Sequence, residues 1–139
     1  MRATPYLNFD GTCAEAFRHY ERVLGGTILY LQTHGDSPMR NNVGPEWHDR
    51  VMHALFQAGE LQLMASDAPP SHYEKPSGVY VSLHLDSAAE ADRIYAELSE
   101  GGEVKMPLQE TFWAERFAMF SDRFGTPWMI NCEGKARPA

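Results

Sequence analysis

Cysteine is scarce in this chain. Cys13 and Cys132 are the only two in 139 residues, too few for a disulfide framework, and the expectation is a reduced, cytoplasmic protein. Positive charge is also short, with twelve Lys and Arg against nineteen Asp and Glu for a formal net charge of -7. That deficit argues against a nucleic-acid partner and against a polybasic membrane contact, which both rely on concentrated basic residues. A local basic pocket remains compatible with it. No apolar run approaches the roughly 18 residues of a membrane span, and MRATPYLNFDG lacks the basic-then-apolar order of a signal peptide. A Gly-x-Gly-x-x-Gly after a strand is missing too, which disfavours a dinucleotide fold. What the chain does have is apolar volume: 43% hydrophobic residues, with seven Phe, six Tyr and three Trp, suffice for the core of one ordinary domain.

The punctuation of the sequence occurs twice. Thr12-Cys13-Ala14-Glu15 has the spacing of a reciprocal capping box and opens a helical pattern. Ala16, Phe17, Tyr20, Val23 and Leu24 share its apolar side, His19 falls on the polar side, and Gly25-Gly26 ends it. Ser87-Ala88-Ala89-Glu90 repeats the cap, Ala91, Ile94, Tyr95 and Leu98 repeat the apolar side, and Gly101-Gly102 repeats the stop. An extended segment precedes each helix, 6–10 and 81–86. Three strand candidates follow each: 27–33, 51–57 and 61–66, then 103–106, 116–121 and 127–132. The pattern reads β-α-β-β-β twice, an α+β chain whose halves are marginal alone but stable together. An α+β domain with an accidental likeness between its halves is the competing reading. The expected organisation is a single domain, 1–139, made of module 1–67 and module 78–133 with a linker at 68–77 and a flexible tail at 134–139. Residues 34–50 hold glycines, prolines and Asn41-Asn42, and read as a long irregular loop.

The segments PYLNFDG with AEAFRHYERVLGG, MHALFQAGELQLMASD, VSLHLDSAAEADRIYAEL and GGEVKMPLQETFWAERFAMFSDRFGTPWMIN resemble, in order and over nearly the whole chain, the PhnB-like branch of the glyoxalase/bleomycin-resistance/dioxygenase (vicinal oxygen chelate) superfamily. The resemblance implies tandem βαβββ modules forming curved mixed sheets around a cleft, commonly in a homodimer. It leaves the chemistry open, because this fold hosts metal-dependent isomerases, dioxygenases, thiol transferases and drug-sequestering proteins. In metal-using relatives the ligands sit on the first and last strands of each module, which here implies positions near Thr4, Met64, Tyr80 and Met129. Thioethers and a phenol are poor partners for Zn, Fe, Ni or Mn. No cofactor is therefore expected, with an unusual divalent-metal site, for instance pairing His53 with His84, as the alternative.

Alternation along 79–85 puts Tyr80, Ser82 and His84 on the side away from the helix, and the same parity puts Tyr6 and Asn8 there. With Met64, Trp113, Arg116 and Met129 these form the candidate ligand-binding set: Trp113 covers an apolar ligand, Arg116 meets an anionic group, and the methionines supply a soft lining. Each also has an ordinary structural reading, as loop pin, ion-pair partner to Glu110 or Glu115, or strand packing. Glu110 and His84 are the candidate catalytic pair, a carboxylate beside Trp113 and an imidazole suited to proton transfer. Cys13 lies in a first helical turn, a place that can favour a thiolate, but with no histidine pattern beside it the preferred reading is a packed cysteine. Asp122-Arg123 reads as a local ion pair. The function expected is binding or sequestration of a small organic molecule without the usual metal centre. The alternatives are a superfamily enzyme (lyase, isomerase or dioxygenase-like) using an acid-base pair or unusual metal, and a structural or interaction protein.

Overall fold

A computed structural model describes residues 1–134. The tail expected at 134–139 lies outside the described residues apart from Gly134. The chain divides into two compact units, Met1–Glu74 and Lys75–Ala139. The first holds β1 (Tyr6–Phe9), α1 (Cys13–Leu24), β2 (Thr27–Thr33), β3 (Val51–Ala58) and β4 (Leu61–Asp67), with sheet order β1-β4-β3-β2. The second holds β5 (Val81–His84), α2 (Ala88–Ser99), β6 (Glu103–Gln109), β7 (Arg116–Ser121) and β8 (Pro127–Cys132), in the order β5-β8-β7-β6. In both sheets the first and last strands pair in parallel, β1 with β4 and β5 with β8, and the other pairings are antiparallel. This is the α+β, glyoxalase-like architecture. The loop between β2 and β3 carries two single 3-10 turns, Arg40–Asn42 and Pro45–Trp47. Among the described residues no helix is long and apolar enough to cross a membrane.

Each helix covers one face of its own sheet, so each unit has one buried and one open sheet face. In the first, Ala16, Phe17, Tyr20 and Val23 of α1 are buried with Phe9, Phe56 and Leu63 of the strands. Phe17 meets Phe9 edge-on at 6.2 Å and Phe56 at 5.8 Å between ring centroids, and full burial of one such ring contributes roughly 1.5–3 kcal/mol. In the second unit Ala91, Ile94 and Leu98 of α2 are buried, and Tyr95 stands edge-on to Phe120 at 5.5 Å. Trp128, Ile130 and Ala118 complete that core.

The glycine doublets act in two steps. Gly25 and Gly101 turn the chain with φ of 71° and 75°, a conformation that costs a side-chain-bearing residue steric strain. Gly26 and Gly102 then let the chain pass against a strand backbone. A Cβ on Gly26 would sit 2.5 Å from the Gln57 carbonyl oxygen, and one on Gly102 would fall on the Ser121 carbonyl.

The helix starts differ from each other and from the expectation. Ser87 caps α2 as its spacing implies, its side chain accepting the Glu90 amide at 3.1 Å. Thr12 makes no side-chain cap bond. Asp67 at the end of β4 supplies the acceptor instead, taking the Cys13 amide at 2.9 Å and the Val51 amide at 2.8 Å on its two oxygens. A buried carboxylate at a helix N-terminus also meets the positive end of the helix dipole, which makes it a stronger cap than a hydroxyl. His19 is likewise not on a polar surface: it is buried, and its Nδ1 shares a 2.9 Å hydrogen bond with the Arg22 guanidinium.

Candidate functional site

The open face of the second sheet is built from cross-strand rows. Register aligns Ser82 with Met129, Met129 with Met119, and Met119 with Met106. The adjacent row runs His84, Asn131, Phe117 and Gln109. Alternation explains the division: Val81, Leu83, Ala118, Phe120, Ile130 and Cys132 are buried toward the helix, leaving the residues between them on the other face. Trp113, in the turn before β7, stands edge-on to Phe117 at 5.3 Å and to Phe112 at 4.7 Å. The turn is held by Thr111, whose hydroxyl accepts the Ala114 amide at 3.1 Å while its own amide donates to the Ala114 carbonyl at 2.9 Å. The face is thus a bed of thioethers and one phenyl ring with an indole at its rim.

Its other end is polar. A pocket of about 300 Å³ is lined by His84, Leu85, Asp86, Asn131, Glu133 and Gly134. Asn131 Oδ1 is buried there without a hydrogen-bond partner among the described residues. At the start of β5, Tyr80 accepts a hydrogen bond from Lys105 Nζ at 3.2 Å, and the same ammonium lies 5.6 Å from the Tyr80 ring centre.

The first unit has its own open face. Tyr6 pairs with Met64, Asn8 with Ser66, and Leu55 with both Met64 and Tyr30. His53 is central to it: Tyr6 stacks on the imidazole at 5.8 Å, Tyr30 approaches at 5.9 Å, and the Tyr6 hydroxyl shares a 3.3 Å hydrogen bond with Nδ1. Ser66 donates to Asn8 Oδ1 at 3.4 Å.

The sequence candidates accordingly sort into groups. Tyr6, Asn8 and Met64 share one sheet face, Ser82, His84 and Met129 share another, with Tyr80 at its edge and Trp113 at its rim. Arg116 is a correction. It alternates with Ala118 and Phe120 toward the helix side, where its Nε donates to Asp92 of α2 at 3.0 Å and its Nη1 to the Glu115 carbonyl at 2.8 Å. The Asp92 hydrogen bond and charge, with Glu115 and Glu110 beyond, push its pKa above the ordinary guanidinium value. Among the described residues no hydrogen bond or ion pair joins Glu110 to His84; the acids beside His84 in its pocket are Asp86 and Glu133.

Two more titratable groups can be placed. Cys13 is the packed cysteine expected of it: burial first, then the Asp67 charge, pushes its thiol well above the ordinary value, so its place in the first helical turn does not favour a thiolate. Among the described residues no ion pair joins Asp122 to Arg123, which the sequence suggests. Asp122 accepts the amides of Phe124 and Thr126 at 2.9 and 3.0 Å and the Trp128 indole N–H at 2.8 Å, a buried carboxylate that organises the β7–β8 turn. Arg123 lies over the Phe124 ring at 4.7 Å.

The superfamily's metal-using members prompt a test of the donor set. Met64 lies opposite Tyr6 and Met129 opposite Ser82, which offers thioethers, a phenol and a hydroxyl where a divalent ion needs imidazole and carboxylate. Among the described residues no three His, Cys, Asp or Glu side chains are grouped to hold a metal ion. These residues do not fit the usual centre.

Met106, Phe117, Met119 and Asn131 join these faces without having been singled out in the sequence. Period-two alternation in Arg116–Ser121 already marks Phe117 and Met119; His53, named in the sequence only as a metal partner of His84, is met by Tyr6 from 47 residues away.

Comparison with known proteins agrees with this architecture. Residues 5–130 match the family model of the Glyoxalase/Bleomycin resistance protein/Dioxygenase superfamily. Protein YjdN of Escherichia coli K12 is 35% identical over 139 aligned residues, covering 94% of this chain and 95% of that protein. The crystal structure of protein PA1353 from Pseudomonas aeruginosa is 48% identical, with a TM-score of 0.88 over 97% of this chain and 99% of that one. A PhnB protein from Bacillus cereus, 20% identical, shares the fold at a TM-score of 0.81, covering 95% of this chain and 99% of its own. The alternating sheets, the paired parallel strands and these matches lead to one conclusion: the chain belongs to the glyoxalase/bleomycin-resistance/dioxygenase superfamily, with PhnB-like proteins among its structural neighbours.

Proposed function

We propose that this protein binds a small organic molecule on the open sheet face of its second unit, without the superfamily's usual metal centre. The observation that carries the reading is the pair of rows in which Met129, Met119 and Met106 lie beside Asn131 and Phe117. Thioethers adapt to an irregular apolar body, Trp113 closes over it, and the exposed Ser82 and His84 orient its polar end. The reading includes a homodimer in solution and no nucleic-acid partner, and keeps Tyr6, Asn8 and Met64, on the open face of the first unit, as a separate set of ligand-binding candidates.

The test is a ligand-library thermal-shift screen with elemental analysis of protein purified without chelator. Expected are hits whose stabilisation is mostly lost in Trp113→Ala while that variant keeps its circular dichroism spectrum. Stoichiometric, chelator-sensitive metal would overturn the metal-free part. Hits that ignore Trp113→Ala and Met129→Ala alike would overturn the site. Light scattering that finds only single chains would remove the dimer.

A second reading, an acid-base enzyme, is favoured by one observation: His84 shares its pocket with Asp86, Glu133 and Asn131. There the imidazole, not Glu110, would move the proton. Turnover of a bound compound that falls at least tenfold in His84→Gln with binding unchanged would establish it.

A further inference from the structure

The open face of the first unit has an imidazole at its centre. One cross-strand row runs Tyr6, Met64, Leu55, Tyr30, and His53 lies in the next row, opposite Gln32. We propose that this face binds a neutral aromatic carbonyl compound, of the aryl ketone class, whose carbonyl oxygen accepts a hydrogen bond from His53 Nε2. The site rests on the separate first-unit set of the proposed function and not on the face of the second unit.

The two nitrogens of His53 stand in different positions. The ring lies on the open face, because its neighbour Ala54 is buried toward the helix. Nδ1 is taken by the Tyr6 hydroxyl at 3.3 Å. Nε2 has no hydrogen-bond partner among the described residues, yet it is not one of the buried unpaired atoms there, which are His34 Nδ1 and Asn131 Oδ1. It is therefore open to a ligand. An imidazole nitrogen is a stronger acceptor than a phenol oxygen, so the Tyr6 O–H donates to Nδ1 and the ring proton sits on Nε2. That assignment makes Nε2 a donor, and the ligand atom facing it an acceptor.

Two phenol rings flank the imidazole. Tyr6 stacks on it at 5.8 Å with planes 23° apart, and Tyr30 approaches at 5.9 Å and 47°. Each hydroxyl is already engaged: Tyr6 with Nδ1, and Tyr30 with Gln32 Oε1 at 2.7 Å, while the Gln32 side-chain amide donates to the Asp36 carbonyl at 3.4 Å. What the phenols still offer is ring surface, since Tyr6 is 48% and Tyr30 45% exposed. Rings held by their own hydroxyls favour a flat apolar partner and spare the cost of ordering them on binding. Met64 and Leu55 continue that apolar surface between them.

Charge decides between a ketone and a carboxylate. Neither row carries a Lys or Arg to balance an anion, nor an Asp or Glu to meet an ammonium group; the polar pair beyond His53 is Ser66 donating to Asn8 at 3.4 Å. A charged ligand would lose hydration here without a counter-charge. A neutral carbonyl oxygen needs one donor, which His53 supplies.

NMR of the full chain tests the assignment. Long-range proton–nitrogen spectra of the imidazole should show the Nε2–H tautomer. Titration with acetophenone, and with α-methylstyrene, in which a methylene replaces the carbonyl oxygen, should give saturable shifts at the His53 ring and at the amides of His53, Leu55 and Met64. Acetophenone should bind at least about fivefold more tightly than α-methylstyrene, and benzoate more weakly than acetophenone. His53→Leu should abolish the preference for acetophenone while α-methylstyrene still binds, and Trp113→Ala should leave both titrations intact. Equal affinities for the matched pair, benzoate bound as tightly as acetophenone, the Nδ1–H tautomer, no saturable shift, or shifts centred on Trp113 would each overturn the proposal. So would a preference that survives in folded His53→Leu; if that variant fails to fold, the wild-type comparison decides. Because His53→Leu tests this face and Trp113→Ala the other, failure here and failure of the second-unit site are distinguishable.

Discussion

Asp67 accepts the backbone amide of Cys13 at 2.9 Å, across 54 residues of chain, and through its other oxygen the amide of Val51. One buried carboxylate thereby fixes the start of α1 and the start of β3 to the end of β4. Asp67→Ala leaves two buried N–H donors without their acceptor, at roughly 1–3 kcal/mol each. Urea unfolding should show a loss of about 2–5 kcal/mol, and Asp67→Asn, which keeps one acceptor oxygen, should lose less. A loss below about 0.5 kcal/mol for the alanine variant would remove this role.

The Cys13 thiol gives the stability a pH dependence of defined sign. Burial, then the Asp67 charge, raises its folded-state pKa above the ordinary thiol value of about 8.5. The folded state therefore holds this proton after the unfolded chain has released it. The contribution is whole below about pH 8.5 and declines as pH rises toward the folded-state value, by up to about 1.4 kcal/mol per pH unit. Unfolding free energies between pH 8 and pH 10 should fall more steeply for the wild type than for Cys13→Ala. Parallel curves for the two proteins would contradict the assignment.

Gly102 and Gly59 should be unequal in their tolerance of alanine. Gly102→Ala drives a Cβ onto the Ser121 carbonyl, a fixed backbone atom, and should cost about 3 kcal/mol through overpacking. Gly59→Ala, with φ of 59° and nothing within 4 Å of the added carbon, should cost only the left-handed conformation, about 1 kcal/mol. Thermal midpoints of the two variants, measured side by side, check the order; a reversed order would refute the close-approach account.

Arg116 and Trp113 should separate cleanly in ligand binding. Arg116 is tied to Asp92 on the helix side of its sheet, and Trp113 packs on Phe117 of the open face. Arg116→Ala should leave the thermal shift produced by a sheet-face ligand at its wild-type size, whereas Trp113→Ala should lose most of it. A ligand shift that collapses in Arg116→Ala alone would return Arg116 to the site.

The parts of this fold that could be read from the chain are those with local causes. Strands 27–33, 116–121 and 127–132 are found where alternation and glycine stops put them. β6 runs on to Gln109, past Pro107, where the sequence suggested an end at Met106. The difference is positional: β6 is an edge strand, so a residue without an N–H is tolerated there. Thr12 was the natural cap by spacing, and Asp67 took its place because a carboxylate from another strand was within reach. The same limit governed the candidate site. Ser82 is visible from its strand parity and Met129 from the family resemblance, but the row they form with Met119 and Met106 depends on antiparallel register. The Tyr6–His53 contact and the unpaired His34 nitrogen have no counterpart in any short motif.

Each sheet is hydrogen-bonded on both sides only at its two inner strands, so the strand orders leave β1, β2, β5 and β6 at the margins. Unprotected margins invite edge-to-edge aggregation, and these four carry different defences against it. β1 and β5 are four residues each, too short to template a long ladder. β2 breaks register between Ile28 and Tyr30, and β6 carries Lys105 and Pro107. A sheet face left uncovered by its own helix can therefore persist while the chain offers its own copies no flat, continuous seam along which to stack.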